Sequence, residues 1–169
     1  SSRITVRGAT IEKCYAGGLH AAQVDKLLVE ESRIHNCARR FLTYGPERMN
    51  VALLTRNCQD VTIRNNQVYE NSDEGIAISL GCRKVEVSKN TCYDNRNGQI
   101  SVTSAIDVKV DSNLCYHTGR AEFLTLNGER GPGITKDDMW RYQTRGQWHT
   151  RDVNIINNII VGCGVGFGT

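Results

Sequence analysis

The chain has 169 residues, 39% of them hydrophobic and 23% charged, which suits one domain with a sizeable core. No apolar run approaches the length of a membrane span, and a net charge of +3 with no Lys/Arg block gives no nucleic-acid arm, so neither membrane nor nucleic acid is expected as a partner. Seven cysteines leave at least one thiol unpaired in a monomer, and the lack of any CxxC pair speaks against structural zinc or a thioredoxin-like centre.

In chain order the sequence predicts six repeating units. The first carries Ile4, Val6, Ala9, Ile11 and Cys14, and the second Leu27, Val29, Ser32, Ile34 and Cys37, 23 residues on. The third, Asp60 to Leu80, reads DVTIRNNQVYENSDEGIAISL, and the fourth, Lys84 to Thr103, reads KVEVSKNTCYDNRNGQISVT. Val61, Ile63, Asn66, Val68 and Asn71 meet Val85, Val87, Asn90, Cys92 and Asn95 at an offset of 24, and Gly75 is matched to Gly98 by the loss of one residue. The fifth unit places Val108, Val110, Asn113 and Cys115 ahead of Phe123-Leu124-Thr125-Leu126. The sixth runs through Val153, Ile155, Asn158, Ile160, Cys163, Val165 and Phe167.

Within each unit, V-x-V or I-x-I stretches are broken by Asn or Gly every few residues. Period-2 alternation puts one face of a short strand inside and the other in water, and the interruptions leave no room for a helix. A unit of about 23 residues with three brief strands is one coil of a solenoid, and six coils at roughly 4.8 Å each span roughly 29 Å. Stacking turns equivalent residues into columns: an asparagine ladder of Asn66, Asn90, Asn113 and Asn158, a second of Asn71 and Asn95, and Cys92 over Cys115. Asparagine suits these places because it tolerates left-handed turn angles and its amide can bond the amides above and below. Cys14 with Cys37 and Cys58 with Cys82 are also in equivalent places; they fill the core as small apolar residues or oxidise if the geometry allows.

The segments DVTIRNNQVYENSDEGIAI and KVEVSKNTCYDNRNGQISV resemble the repeats of the right-handed parallel β-helix superfamily. That superfamily includes pectate lyase-like enzymes, chondroitinase B and alginate lyase-like proteins, alginate epimerases and NosD-type repeat proteins. The resemblance implies an all-β, right-handed parallel β-helix of about six coils. It is specific for fold and leaves activity open, because the repeat is structural.

The repeat stretches twice. Leu27 to Val61 is 34 residues, with extra material around Tyr44 to Asn50 and an insertion assigned near 44–57; Val108 to Val153 is 45, with an insertion over 127–150. Solenoid insertions emerge as loops on one side, often the binding side. The second carries Trp140, Tyr142 and Trp148 beside Arg141, Arg145 and His149, which suits an acidic polysaccharide, since flat rings stack on sugars and arginine pairs with carboxylates. The alternative is that the tryptophans fold back over the flank of the solenoid.

Lyase chemistry on a uronate, which the resemblance implies, needs a base for the C5 proton and a cation for the carboxylate. Arg141, Arg145, His149 and Lys136 are the candidates in the long insertion, with Arg96 and His117 in neighbouring coils. Asp73, Glu74 and Asp94 fall at turns of adjacent coils and could supply oxygens to Ca²⁺, or be ordinary solvated turn residues. The pair Asp137-Asp138 occurs without the other segments of the polygalacturonase pattern, and the D-P-H-E segment of alginate epimerases is missing.

Two functions are therefore carried forward: a carbohydrate-active, lyase-like enzyme on uronate polysaccharide, and a non-catalytic glycan-binding or structural β-helix module. The sequence opens on Ser1 and stops within a coil, so an excerpt of a longer solenoid, or end-to-end pairing with another chain, is expected. Its compartment is undecided, leaning to secreted or extracytoplasmic: sugar-degrading relatives are mostly secreted, while unpaired inward cysteines also suit a reducing cytosol.

Overall fold

A computed structural model of the chain describes residues 2–38, 50–125, 128–138 and 149–169. Coil 1 carries β1 (Arg3–Arg7), β2 (Thr10–Glu12) and β3 (Leu19–Ala22), and coil 2 begins with β4 (Lys26–Glu30) and β5 (Arg33–His35) and closes with β6 (Leu53–Arg56). Coil 3 is β7 (Gln59–Arg64), β8 (Gln67–Tyr69) and β9 (Ile76–Ser79); coil 4 is β10 (Arg83–Ser88), β11 (Thr91–Tyr93) and β12 (Ile100–Thr103). Coil 5 holds β13 (Ile106–Asp111), β14 (Leu114–Tyr116) and β15 (Ile134–Asp137), and coil 6 holds β16 (Arg151–Ile156), β17 (Ile159–Val161) and β18 (Phe167–Gly168). Every third strand pairs in parallel, giving three six-stranded sheets that run the length of the solenoid. This is the parallel β-helix expected from the repeat.

Alternation explains the core. Val29, Ile63, Val87 and Val110 from the first sheet, Ile34, Val68, Cys92 and Cys115 from the second, and Ile76, Ile78, Ile100 and Val102 from the third are each fully or almost fully buried in one cluster. At roughly 1.5–3 kcal/mol per buried aliphatic side chain, these columns are the main stabilising term. The seven cysteines are free thiols; burial pushes the Cys37 thiol up to about 11, as expected for small core residues.

Both asparagine ladders form. Asn66, Asn90 and Asn113 each donate a side-chain amide bond to the ladder asparagine of the next coil, ending on Asn158, and the Nδ2 of all four also donates to a carbonyl one coil back, such as Asn90 to Ile63 at 2.9 Å. The left-handed residue is not the ladder asparagine but its predecessor: Glu31, Asn65, Lys89, Ser112 and Asn157 have φ between 53° and 57°, and Gly8 has 63°. The ladder side chain supplies donors to carbonyls where the turn interrupts the sheet, and the residue before it takes the strained backbone.

The register also locates the extra residues. Pairing is offset by 23 at Thr10↔Arg33 and by 34 at Leu19↔Leu53, so 11 residues enter between β5 and β6. The coil is back in register at Leu53, inside the stretch assigned to the first insertion. In coil 5 the offset rises from 23 at Thr91↔Leu114 to 34 at Ile100↔Ile134 and 45 at Val108↔Val153. The long break is therefore two additions, one on each side of β15. Phe123, Leu124 and Thr125 do not form the third strand of that coil, and Leu126 lies outside the described residues; Ala121–Phe123 is a 3-10 turn and β15 occupies the place.

Candidate functional site

The outer side of the third sheet is unlike the other two. Leu54, Ala77, Ser79 and Ser101 alternate with core residues along β6, β9 and β12, yet none is more than 3% exposed, and Val51, Leu54 and Ala77 form a cluster separate from the core. Both edges of this sheet carry the additions, two at the turn from the second sheet and one at the turn to the first.

Asp73 and Glu74 sit at the turn that leads into β9. Gly75, which follows, stacks beneath Gln99 rather than Gly98, because Ile76 pairs with Ile100. A Cβ on Gly75 would lie 2.6 Å from the Gln99 carbonyl and 2.7 Å from Asn95 Nδ2, so only glycine lets the chain pass there. Asp73 is 7% exposed and its Oδ1 accepts a 2.8 Å hydrogen bond from Asn97 Nδ2. Burial raises its pKa, while hydrogen bonds from Asn97 and from the backbone N–H groups of Glu74 and Asn50 pull it down. Glu74 is half-buried. Burial first, and then the charge of Asp73, push its carboxyl up to about 7 against a lowering hydrogen bond from Ser101. A carboxyl in that range gives and takes a proton at neutral pH.

Two buried donors on the same turn edge, Asn50 Nδ2 and Arg96 Nε, have no hydrogen-bond partner among the described residues. Unsatisfied buried donors are rare, and here they lie close in sequence and register to the carboxyl pair.

The remaining candidates stand elsewhere. Asp94 is fully buried: it accepts hydrogen bonds from Thr118 N at 2.8 Å and Thr118 Oγ1 at 2.6 Å, and His117 Nδ1 lies 3.3 Å away. His117 Nε2 faces the Gln99 side-chain amide at 3.0 Å, and Gln99 accepts from Asn95, so this cluster terminates the second asparagine ladder. Desolvation lowers the His117 pKa, outweighing the attraction of Asp94, and the ring is a neutral structural group. Asp94 thus does not join Asp73 and Glu74, and among the described residues no three His, Cys, Asp or Glu side chains are grouped to hold a metal ion. Lys136 pairs with Val102 in the inward register of the third sheet. His149 lies 3.2 Å from Asp138 Oδ2, and Thr150 N donates to Asp138 Oδ1 at 2.5 Å while Thr150 Oγ1 donates to the Asp137 carbonyl. These contacts clamp the neck of the last addition. Arg141, Arg145, Trp140, Tyr142 and Trp148 lie outside the described residues.

A family model described as the right-handed beta helix region matches residues 1–115 and again 49–169, which together cover the whole chain. The chain belongs to the right-handed β-helix family. No curated protein and no solved structure matches it. Membership in the β-helix family accounts for the coils and leaves the chemistry to the residues on them.

Sequence reasoning passed over Asn97, Ser101 and Gln99, and also an aromatic ladder on the outer side of the second sheet. His35, Tyr69, Tyr93 and Tyr116 stack with centroids 4.7–4.8 Å apart and ring planes within 7°. The offsets that align the asparagines align these rings too, so the signal was present in the same repeat.

Proposed function

We propose that this β-helix is carbohydrate-active, and that its working site is the turn edge leading into the third sheet, with Glu74 as the acid–base group. The observation that supports this most strongly is a half-buried glutamate held near neutral pKa beside a second carboxylate, on the face flanked by every addition to the repeat. The substrate class we assign is a uronate-containing polysaccharide. Ionised Glu74 takes the C5 proton, the C4–O bond breaks as the C4–C5 double bond forms, and the proton on Glu74 is returned to the departing oxygen. Arg96, with its unpartnered Nε, is assigned to the uronate carboxylate, and Asp73 to keeping Glu74 basic. The second reading is a non-catalytic glycan-binding or structural module, favoured by the separation of Lys136 and His149 from the carboxyl pair.

Ultraviolet absorbance of unsaturated uronate ends, on pectate, alginate and chondroitin with and without Ca²⁺, separates the two. The expected result is a rise on at least one polymer that Glu74→Gln lowers by about 100-fold or more, the scale of general acid–base catalysis. A flat trace across the panel leaves the module reading in place.

A further inference from the structure

The outer side of the first sheet carries a groove of about 370 Å³ near the start of the solenoid, lined by Arg3, Thr5, Lys26, Leu28, Thr62 and Arg64, among others. Its cations are arranged at two poles. Arg3 pairs in register with Lys26, one coil apart, at one end of the strands. At the other end Arg64 lines the groove, and Arg7, beyond its lining, meets it on Glu30, which is 2% exposed; Arg7 Nε donates to Glu30 Oε1 at 2.6 Å and Arg64 Nε to Oε2 at 2.7 Å. One carboxylate thus holds two guanidinium groups in place, Arg64 through Nε and Arg7 through both Nε and a terminal nitrogen. Both side chains remain about half exposed, Arg7 at 59% and Arg64 at 48%, and the terminal N–H groups of Arg64 are turned away from Glu30 and available to an oxyanion.

Between the poles lies a floor of Thr5, Leu28 and Thr62, hydroxyls beside a small apolar patch. Glu30 is four positions on from Lys26, which is about 13 Å at 3.3 Å per residue. Asp60 is also on the wall, 3.9 Å from Lys84, and leaves the lining cations Arg3, Lys26 and Arg64 in excess. The trough lies open on a sheet face and does not enclose a small molecule, so it fits a stretch of polymer. It has no aromatic side chain on which a nucleobase would stack.

We propose that this groove binds an acidic glycan, with anionic groups seated at both poles and a sugar ring over the Thr5–Leu28–Thr62 floor. It is a site separate from the third-sheet face and does not rest on the Glu74 reading. Pre-positioning of Arg7 and Arg64 by Glu30 reduces what must be ordered on binding.

The test is fluorescence anisotropy of a labelled oligogalacturonate at 0.15 M salt, made in a Glu74→Gln background so that a failure of the acid–base reading leaves this measurement intact. Lys26→Ala and Arg3→Ala leave the Glu30 pair untouched and guard against misfolding of Arg64→Ala. Each of the three variants is expected to weaken binding at least ten-fold. Lys89→Ala, which removes a cation from an exposed turn, is expected to change it less than two-fold. Absence of binding, equal loss in Lys89→Ala, or a 20-nucleotide oligodeoxythymidine bound as tightly with the same sensitivity to the variants would each overturn the proposal.

Discussion

A ladder asparagine does the work of several backbone groups. The Asn90 Oδ1 accepts from both the N–H and the Nδ2 of Asn66, while its own Nδ2 donates to the Ile63 carbonyl and to Asn113 Oδ1. Asn90→Ala would strand donors on Asn66 and an acceptor on Ile63 in a dry interior, at a cost of about 3 kcal/mol. Urea denaturation should show this as a lower midpoint with an unchanged slope. The ladders were legible in the sequence because amides in register need the same residue in each coil. The left-handed position was not, since Glu31, Asn65, Lys89 and Ser112 share no side-chain chemistry and take that angle from the buried turn beside them.

Elements are held by what their neighbours in the column offer. The Tyr69, Tyr93 and Tyr116 rings stack at the spacing of their strands, 4.7–4.8 Å, and Tyr93 has a ring on each side. Tyr93→Leu removes two stacking contacts and Tyr116→Leu removes one, so the first should cost about 1–3 kcal/mol and roughly twice the second in the same denaturation experiment. Equal losses would mean that the rings contribute through burial alone. β15 explains where the repeat misled. Its Ile-Thr-Lys-Asp carries a single fully buried aliphatic residue, Ile134, with Lys136 in a core register, so Phe123 to Leu126 offered the better apolar pattern. Two additions around so weak a strand read as one.

Across the whole molecule, the solenoid places different chemistry on its three outer sides: paired charges on the first sheet, stacked rings on the second and buried carboxyls on the third. Asp73 and Glu74 were legible as turn residues of neighbouring character. Their burial was not, because it depends on what covers the third sheet rather than on any local pattern. Burial has a consequence for pH. Glu74 titrates at about 7 when folded against 4.5 ordinarily, so between these values the folded chain holds a proton that the unfolded chain has released. The stability this contributes is complete below about pH 4.5 and is lost as pH rises through 7. Glu74→Gln should flatten that slope and make the chain more stable than the native one above pH 7, as thermal melts from pH 4.5 to 8 would show.

The proposed acid–base site depends on the protonation of that one side chain. Carbon-13 NMR titration of the glutamate carboxyls, with the Glu74 resonance assigned by its disappearance in Glu74→Gln, measures it directly. A midpoint near 7 is expected from the burial of Glu74 and the charge of Asp73. A midpoint near 4.5 would mean that Glu74 is an ordinary surface carboxylate and would remove the acid–base site from the third sheet.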